Sequence, residues 1–229
     1  MESNGHPASL RVGVIGAGRV GAVLGAALAR AGHRVTGVYA VSEDSRARAT
    51  DLLPDAPVAD IPTVIAGTDL VLLAVPDDAL AHLVAGLAAT GTWEAGQIVA
   101  HTSGRHGASV LDPVLDAHAL PMALHPAMTF TGTLMDVDRL RDCAFGVTAP
   151  DPLREMAMAL VLDMGGTPVW IAEADRVTYH AALAHGANHL VTLIAEAAQV
   201  LRAAGVAQTA DVLGPLVRAA LDNALRLGD

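Results

Sequence analysis

The chain has 229 residues, of which 52% are hydrophobic, 17% charged and 3% aromatic, with a formal net charge of -10 at pH 7. That length accommodates one or two domains with a real core, and the composition excludes a disordered chain. An acidic chain with few aromatics lacks the phosphate attraction and the stacking platforms of a general nucleic-acid binder. All 14 basic residues are arginine; without lysine there is no Schiff-base chemistry and no lysine acid or base. The single cysteine, Cys143, excludes an intrachain disulfide and a cysteine-rich zinc site, and reads as a small buried hydrophobe. Met1 to Ser9 has no basic start followed by an apolar run, and no uncharged apolar stretch approaches the roughly 18 residues of a membrane span. A cytoplasmic protein without membrane contact is expected.

In chain order, Leu10 to Ile15 is a short apolar strand ending in glycine, and Arg19 to Ala31 repeats apolar residues at helical spacing until Gly32 stops it. Arg34 to Ala40 reads as a second strand. Asp69 to Val75 is a near-continuous apolar run, the pattern of a buried parallel strand. Gln97 to Ala100, Met122 to Leu124, Cys143 to Ala149 and Pro168 to Ile171 read as further strands. Asp151-Pro152 opens a helix to about Met164. This alternation predicts a doubly wound α/β fold with a parallel sheet over residues 1–171. From Glu173 to Ala204 the pattern is one long helix, ended by Gly205; a second helix follows from about Thr209, with a break or kink expected at Gly214-Pro215. Residues 172–229 are therefore expected to form an all-helical domain. Two helices bury little alone, so they are expected to pack on another subunit or to be an incomplete part of a longer domain.

Gly16-Ala17-Gly18-Arg19-Val20-Gly21 follows a strand and opens a helix, the context a dinucleotide fingerprint requires. Gly16 permits the tight turn, Gly18 lets a pyrophosphate approach the backbone, and Gly21 allows close helix–strand packing. The helix N-terminus then faces the anion. An NAD site places an acid at the end of the second strand; here Val38-Tyr39-Ala40-Val41-Ser42 has none. Ser42, Arg46 and Arg48 suit a 2′-phosphate, so NADP is expected over NAD. Glu43 and Asp44 argue the other way. Polar residues also gather after the predicted strands: Val75-Pro76-Asp77, His101-Thr102-Ser103-Gly104 and His125-Pro126. The carboxyl edge of an open parallel sheet is where ligands bind. The alternatives are plain: Asp77 and Ser103 as helix caps, His125 as a core histidine. On the long helix, Tyr179, His180, His185, Asn188 and His189 form a third group, with His180 and Asn188 on one face. His180 is a candidate proton donor. His185 and His189 have metal-ligand spacing, but no matching carboxylate stands out, so no metal is expected.

The set GAGRVG, VPDDAL, HTSG, HPAMTF and YHAALAHGANHLVTL resembles a family of bacterial Rossmann-like proteins with a C-terminal domain of unknown function (family 2520). That family is related to the 6-phosphogluconate-dehydrogenase-like reductases, which include ketopantoate, pyrroline-carboxylate and 3-hydroxyacid enzymes. The resemblance spans nearly the whole chain. It implies an N-terminal NADP-binding Rossmann domain and a helical C-terminal domain that helps form a homodimer and is usually longer than this one. Ketopantoate and 3-hydroxyacid reductases use a lysine on the first helix of the C-terminal domain, and this chain has none.

The expected activity is NADPH-dependent reduction of a small carbonyl or imine compound carrying a carboxylate. In that reading Gly16, Ala17, Gly18, Arg19, Val20, Gly21, Ser42, Arg46, Val75, Pro76, Asp77, Thr102 and Ser103 hold the cofactor. His180 gives the proton, Asn188 orients the substrate, His125 lines the pocket, and Arg105 is a candidate carboxylate clamp. The competing reading is an NADP(H)-binding sensor or scaffold dimer without turnover. A Tyr-x-x-x-Lys short-chain dehydrogenase is excluded because no lysine exists.

Overall fold

The computed structural model describes residues 9–227. The chain opens with β1 (Arg11–Ile15), α1 (Arg19–Arg30) and β2 (Arg34–Tyr39), followed by α2 (Glu43–Leu52) and the short α3 (Ile61–Ile65). Then come β3 (Leu70–Leu73), α4 (Asp77–Ala89), β4 (Ile98–His101), a 3-10 segment over Ala108–Ala117, and β5 (Leu120–Pro126). The run α5 (Leu134–Arg139), β6 (Ala144–Thr148), α6 (Arg154–Asp163), β7 (Thr167–Trp170), α7 (Arg176–Ala203) and α8 (Thr209–Leu227) completes it.

The seven strands form one sheet in the order β2-β1-β3-β4-β5-β6-β7. It is mostly parallel, as expected, but β6 runs antiparallel to β5. The reason lies in the connection. A parallel return needs a crossover of a dozen or more residues that carries the chain back to the sheet's starting edge. Here the chain comes back at the edge it left: the N–H of Ala127, just after β5, donates to the carbonyl of Ala144, the first residue of β6, at 2.8 Å. The strand order reverses between β1 and β3, the switch point at which open sheets of this kind bind ligands. Two apolar layers cover the sheet. Val12, Val14, Leu24, Leu28, Leu72 and Phe145 are among the buried residues of one face; Ile15, Val71, Leu73, Leu80, Val84 and Leu111 belong to the other. Cys143 is buried within the first layer, and burial pushes its thiol up to about 11.

Sequence and structure differ at several boundaries. Ser42 caps α2, accepting from the Ser45 N–H, a helix the apolar pattern did not mark because its exposed face is polar nearly all round. One 3-10 turn, Asp151–Leu153, precedes α6, and another, Glu173–Asp175, precedes α7. Pro215 lies inside α8 without ending it. The preceding Gly214 has no Cβ to strike the proline ring, which relaxes the usual restriction on that position.

The chain divides into two compact units, Met1–His180 and Ala181–Asp229. The second consists of the rest of α7 and of α8, turned at Gly205, whose φ is +88°. Ile194 and Ala198 face Leu213 and Val217 across the groove between these helices. Val191, Leu193, Val200, Leu216, Leu221 and Leu225 of the same pair are exposed. No helix among the described residues is long and apolar enough to cross a membrane.

Candidate functional site

The register places the ends of β1, β3 and β4 in one row with the middle of β5: Ile15 beside Leu73, Leu73 beside His101, and His101 beside Ala123. At about 4.8 Å per strand this row is about 14 Å long. The glycine loop, Ala74 to Asp77 and Thr102 to Gly104 follow the ends of β1, β3 and β4, and β5 runs two residues past the row to His125, so they share one edge of the sheet.

The glycine loop fits a dinucleotide phosphate. Gly16 has φ +99°, and its amide, like that of Ala17, donates to the Tyr39 carbonyl at 3.0 and 3.2 Å. A side chain at Gly16 would strike the Ala74 carbonyl and reach the Val75 side chain. Gly21 is closed off by the Gly16 carbonyl and the Ala74 side chain, which lets α1 lie close against the sheet. Gly18, the N-cap residue, is the opposite: a Cβ there would meet nothing within 4 Å. The free amides of the first turn of α1, at Arg19 and Val20, have no intrahelical acceptor. That turn carries no acid, so its partial positive charge is left for an anion.

Arginines flank the same loop. Gly132 has φ +83°, and a Cβ on it would sit 3.0 Å from the Arg48 Cδ and Nε and 3.1 Å from the Arg19 Cγ. Asp136 fixes this turn. Its fully buried carboxylate accepts from the Thr131 amide at 2.6 Å, the Gly132 amide at 2.8 Å and the Thr131 hydroxyl at 3.0 Å. Burial works against that carboxylate, yet the Gly132 and Thr131 donors hold its pKa below the ordinary value. Arg46 lies nearer the strand end, its Nε 3.4 Å from the Ala40 carbonyl. Ser42 uses its hydroxyl in the α2 cap.

The other half of the edge is built around His101 and His125. His101 is fully buried; its Nε2 bonds the Gly107 carbonyl at 2.8 Å, and its Nδ1 accepts from the Ser103 amide at 3.1 Å. Burial pushes it down to about 4, so it is a neutral strut for the turn. Ser103 Oγ accepts from the His106 amide, and the Thr102 amide bonds the Leu73 carbonyl. Asp77 opens α4 as its first residue, with Pro76 as the N-cap. His125 bonds the Tyr179 hydroxyl through Nδ1 at 3.0 Å, and its ring meets the Tyr179 and His180 rings edge-on. Burial, with the charges of Arg176 and His180, pushes His125 down to about 4. Gly104 lies between the two imidazoles: a Cβ there would be 2.5 Å from His180 Nδ1 and 2.8 Å from His125 Nε2. His180 Nδ1 is buried and has no hydrogen-bond partner among the described residues.

Beneath this group lies Arg176. It donates to the Thr148 hydroxyl at 2.7 Å and to the Gly146 and Ala123 carbonyls at 3.0 and 3.2 Å. Sequence reasoning missed it. The signal was its place at the first residue of a long helix, where the dipole disfavours a cation. Tyr179 was singled out without a role, Gly104 was named only as the end of the His101–Gly104 group, and Asp136 was not named at all. Of the expected site residues, Gly16 to Gly21, Val75, Pro76, Asp77, Thr102, Ser103, His125 and His180 lie along the edge, with Ser42 and Arg46 beyond the end of β2. Asn188 lies in the second unit, exposed, its carbonyl accepting from Thr192. Arg105 is exposed. Among the described residues no group of three or more His, Cys, Asp or Glu side chains is placed to hold a metal ion.

Residues 1–126 match the Rossmann-like domain family, and residues 143–229 match the domain of unknown function DUF2520. The chain belongs to the Rossmann-like family. Solved structures share its fold. A candidate NADP oxidoreductase from Bacteroides fragilis superposes with a TM-score of 0.79 at 21% identity, covering 96% of this chain and 82% of that one. A pyrroline-5-carboxylate reductase from Coxiella burnetii gives 0.66 at 17% identity, covering 96% and 82%. An imine reductase from a Pseudomonas species gives 0.71 at 18% identity, covering 96% and 76%. No curated protein matches the Rossmann-like chain.

Proposed function

We propose that this protein is an NADP-dependent oxidoreductase that reduces a small carbonyl or imine compound bearing a carboxylate. The observation that carries the reading is the glycine loop at the switch point: Gly16 turned to positive φ, Gly18 open to approach, and Arg19 and Arg48 gathered around Gly132 beside it. Structural relatives described as pyrroline-carboxylate and imine reductases support the same class.

Gly16 to Gly21 would hold the pyrophosphate. Arg48 and Arg19, with Ser42 and Arg46 behind them, would face a 2′-phosphate, and Val75 to Asp77, Thr102 and Ser103 would line the path towards His125. When bound, the nicotinamide supplies a hydride. The chain's own work is to exclude water, orient the substrate and move a proton. His125 Nε2 and His180 Nδ1, on either side of Gly104, are the groups placed for that proton. We assign Asn188 to substrate orientation and the helical unit to homodimer formation.

Titration with NADPH and NADH, alongside Arg48→Ala and Arg46→Ala, tests the reading. A charge-assisted contact is worth about 1.5–3 kcal/mol, or roughly 10- to 100-fold in affinity. NADPH is expected to bind tighter by that factor, with Arg48→Ala removing most of the preference. Equal binding of both nucleotides overturns the phosphate assignment, and binding of neither overturns the oxidoreductase reading.

A further inference from the structure

Arg176 is 1% exposed, and among the described residues no carboxylate lies within ion-pairing distance of it. Its NH1 has no hydrogen-bond partner among the described residues. A buried cation without a counter-charge is unfavourable unless something nearby becomes negative. The group in line with it is Tyr179, whose ring centre lies 5.9 Å from the guanidinium carbon. The Tyr179 hydroxyl reaches His125 Nδ1, and the opposite ring nitrogen of His125 points at Gly104. Arg176, Tyr179 and His125 thus form a line from the interior of the sheet to its ligand-binding edge.

His125 is neutral near pH 7, since burial and the Arg176 charge oppose its protonation. A neutral imidazole releases a proton readily from one nitrogen only when the other gains one. Among the described residues, Tyr179 is the one side chain hydrogen-bonded to that second nitrogen. Burial raises the Tyr179 pKa, so the hydroxyl keeps its proton until it is called for, while the charge of Arg176 opposes that rise.

We propose that His125 gives its Nε2 proton to the substrate and that Tyr179 refills Nδ1 from its hydroxyl, with the Arg176 guanidinium stabilising the phenolate left behind. The inference rests on the reductase reading above. As the substrate carbon takes the hydride of a dihydronicotinamide, the C=O or C=N electron pair moves to the heteroatom. The Nε2–H bond breaks and the heteroatom–H bond forms; the tyrosine O–H bond breaks and the Nδ1–H bond forms. A solvent proton then enters at Nε2 and the Nδ1 proton returns to the phenolate, which restores both groups for the next turnover. His125 is the catalytic residue in this scheme, and Tyr179 and Arg176 act through it.

The test combines nitrogen NMR of the full chain, labelled at histidine rings, with turnover. His125 resonances are assigned with His125→Asn. In the wild type the His125 proton is expected on Nε2, with Nδ1 a hydrogen-bond acceptor; Tyr179→Phe should move the Nδ1 resonance and leave Nε2 protonated. A proton on Nδ1 overturns the relay, because Tyr179 would then be the acceptor. With 1-pyrroline-2-carboxylate and pyruvate as probes, Tyr179→Phe should lower kcat at least tenfold while KM and NADPH affinity stay within about twofold. Unchanged kcat with NADPH still bound removes the relay alone. Failure of the wild type to bind NADPH removes the reductase reading and the relay with it. If NADPH binds and neither probe is reduced, the position of the His125 proton decides.

Discussion

His101 shows how one side chain sets a turn. It meets a donor on one ring nitrogen and an acceptor on the other, which suits the neutral imidazole and no other state. Its pKa in the folded chain is about 4 against 6.5 in the unfolded one. The unfolded chain therefore takes up the proton first, and stability falls as pH drops from about 6.5 towards 4. That gap corresponds to roughly 3 kcal/mol at most. Urea midpoints measured between pH 7 and 4 should fall, and His101→Gln should flatten the fall in that window; His125 adds to it with the same sign. Gly104 is the complementary case, a position defined by having no side chain. Gly104→Ala would push a methyl against both imidazoles. A loss of about 1–3 kcal/mol is expected from overpacking, with NADPH binding largely kept and turnover lost. A variant as stable and as active as the wild type would show that the rings can move aside.

At the scale of elements, the turn over 131–133 depends on α5 through Asp136. Asp136→Ala leaves the Thr131 and Gly132 amides without their acceptor, at a cost of about 1–3 kcal/mol. The turn would loosen beside Arg19 and Arg48, so the NADPH-to-NADH affinity ratio should drop while NADH binding changes little. Parallel titrations of the two nucleotides check this. The glycine loop was legible in the sequence because each glycine answers a local demand: a positive φ, an open approach, a close packing. The apolar strands were legible for a similar reason, since a strand buried on both faces must be apolar throughout. The reversal of β6 was not, because it depends on the edge at which the segment after β5 brings the chain back rather than on any residue within the strand. Arg176 and Asp136 stayed hidden for another reason. Their partners are backbone groups of other segments, and backbone carbonyls and amides leave no mark in a sequence. His125 and His180 were both singled out, but Gly104 was read only as part of the turn after β4, since only the three-dimensional approach of the rings makes that glycine necessary.

At the scale of the molecule, the helical pair exposes Val191, Leu193, Val200, Leu216 and Leu225. Scattered surface leucines are ordinary, but so many on two helices suit an interface. Light scattering should give twice the mass of one chain, and Leu193→Arg with Leu216→Arg should give the single mass. A single-chain mass for the unaltered protein would end the dimer assignment. The sheet adds a constraint of its own. Along β2, the outer edge is partly taken by the segment around Val58, which bridges Val38, with the Ala59 amide bonded to the Val38 carbonyl. At the other end β7 has four residues, one of them Pro168, which has no amide hydrogen to offer. Neither margin presents a long run of free backbone donors and acceptors. Copies of this chain therefore have little means of joining strand to strand into a continuous ribbon, even when crowded, and any lasting association must be written in side chains.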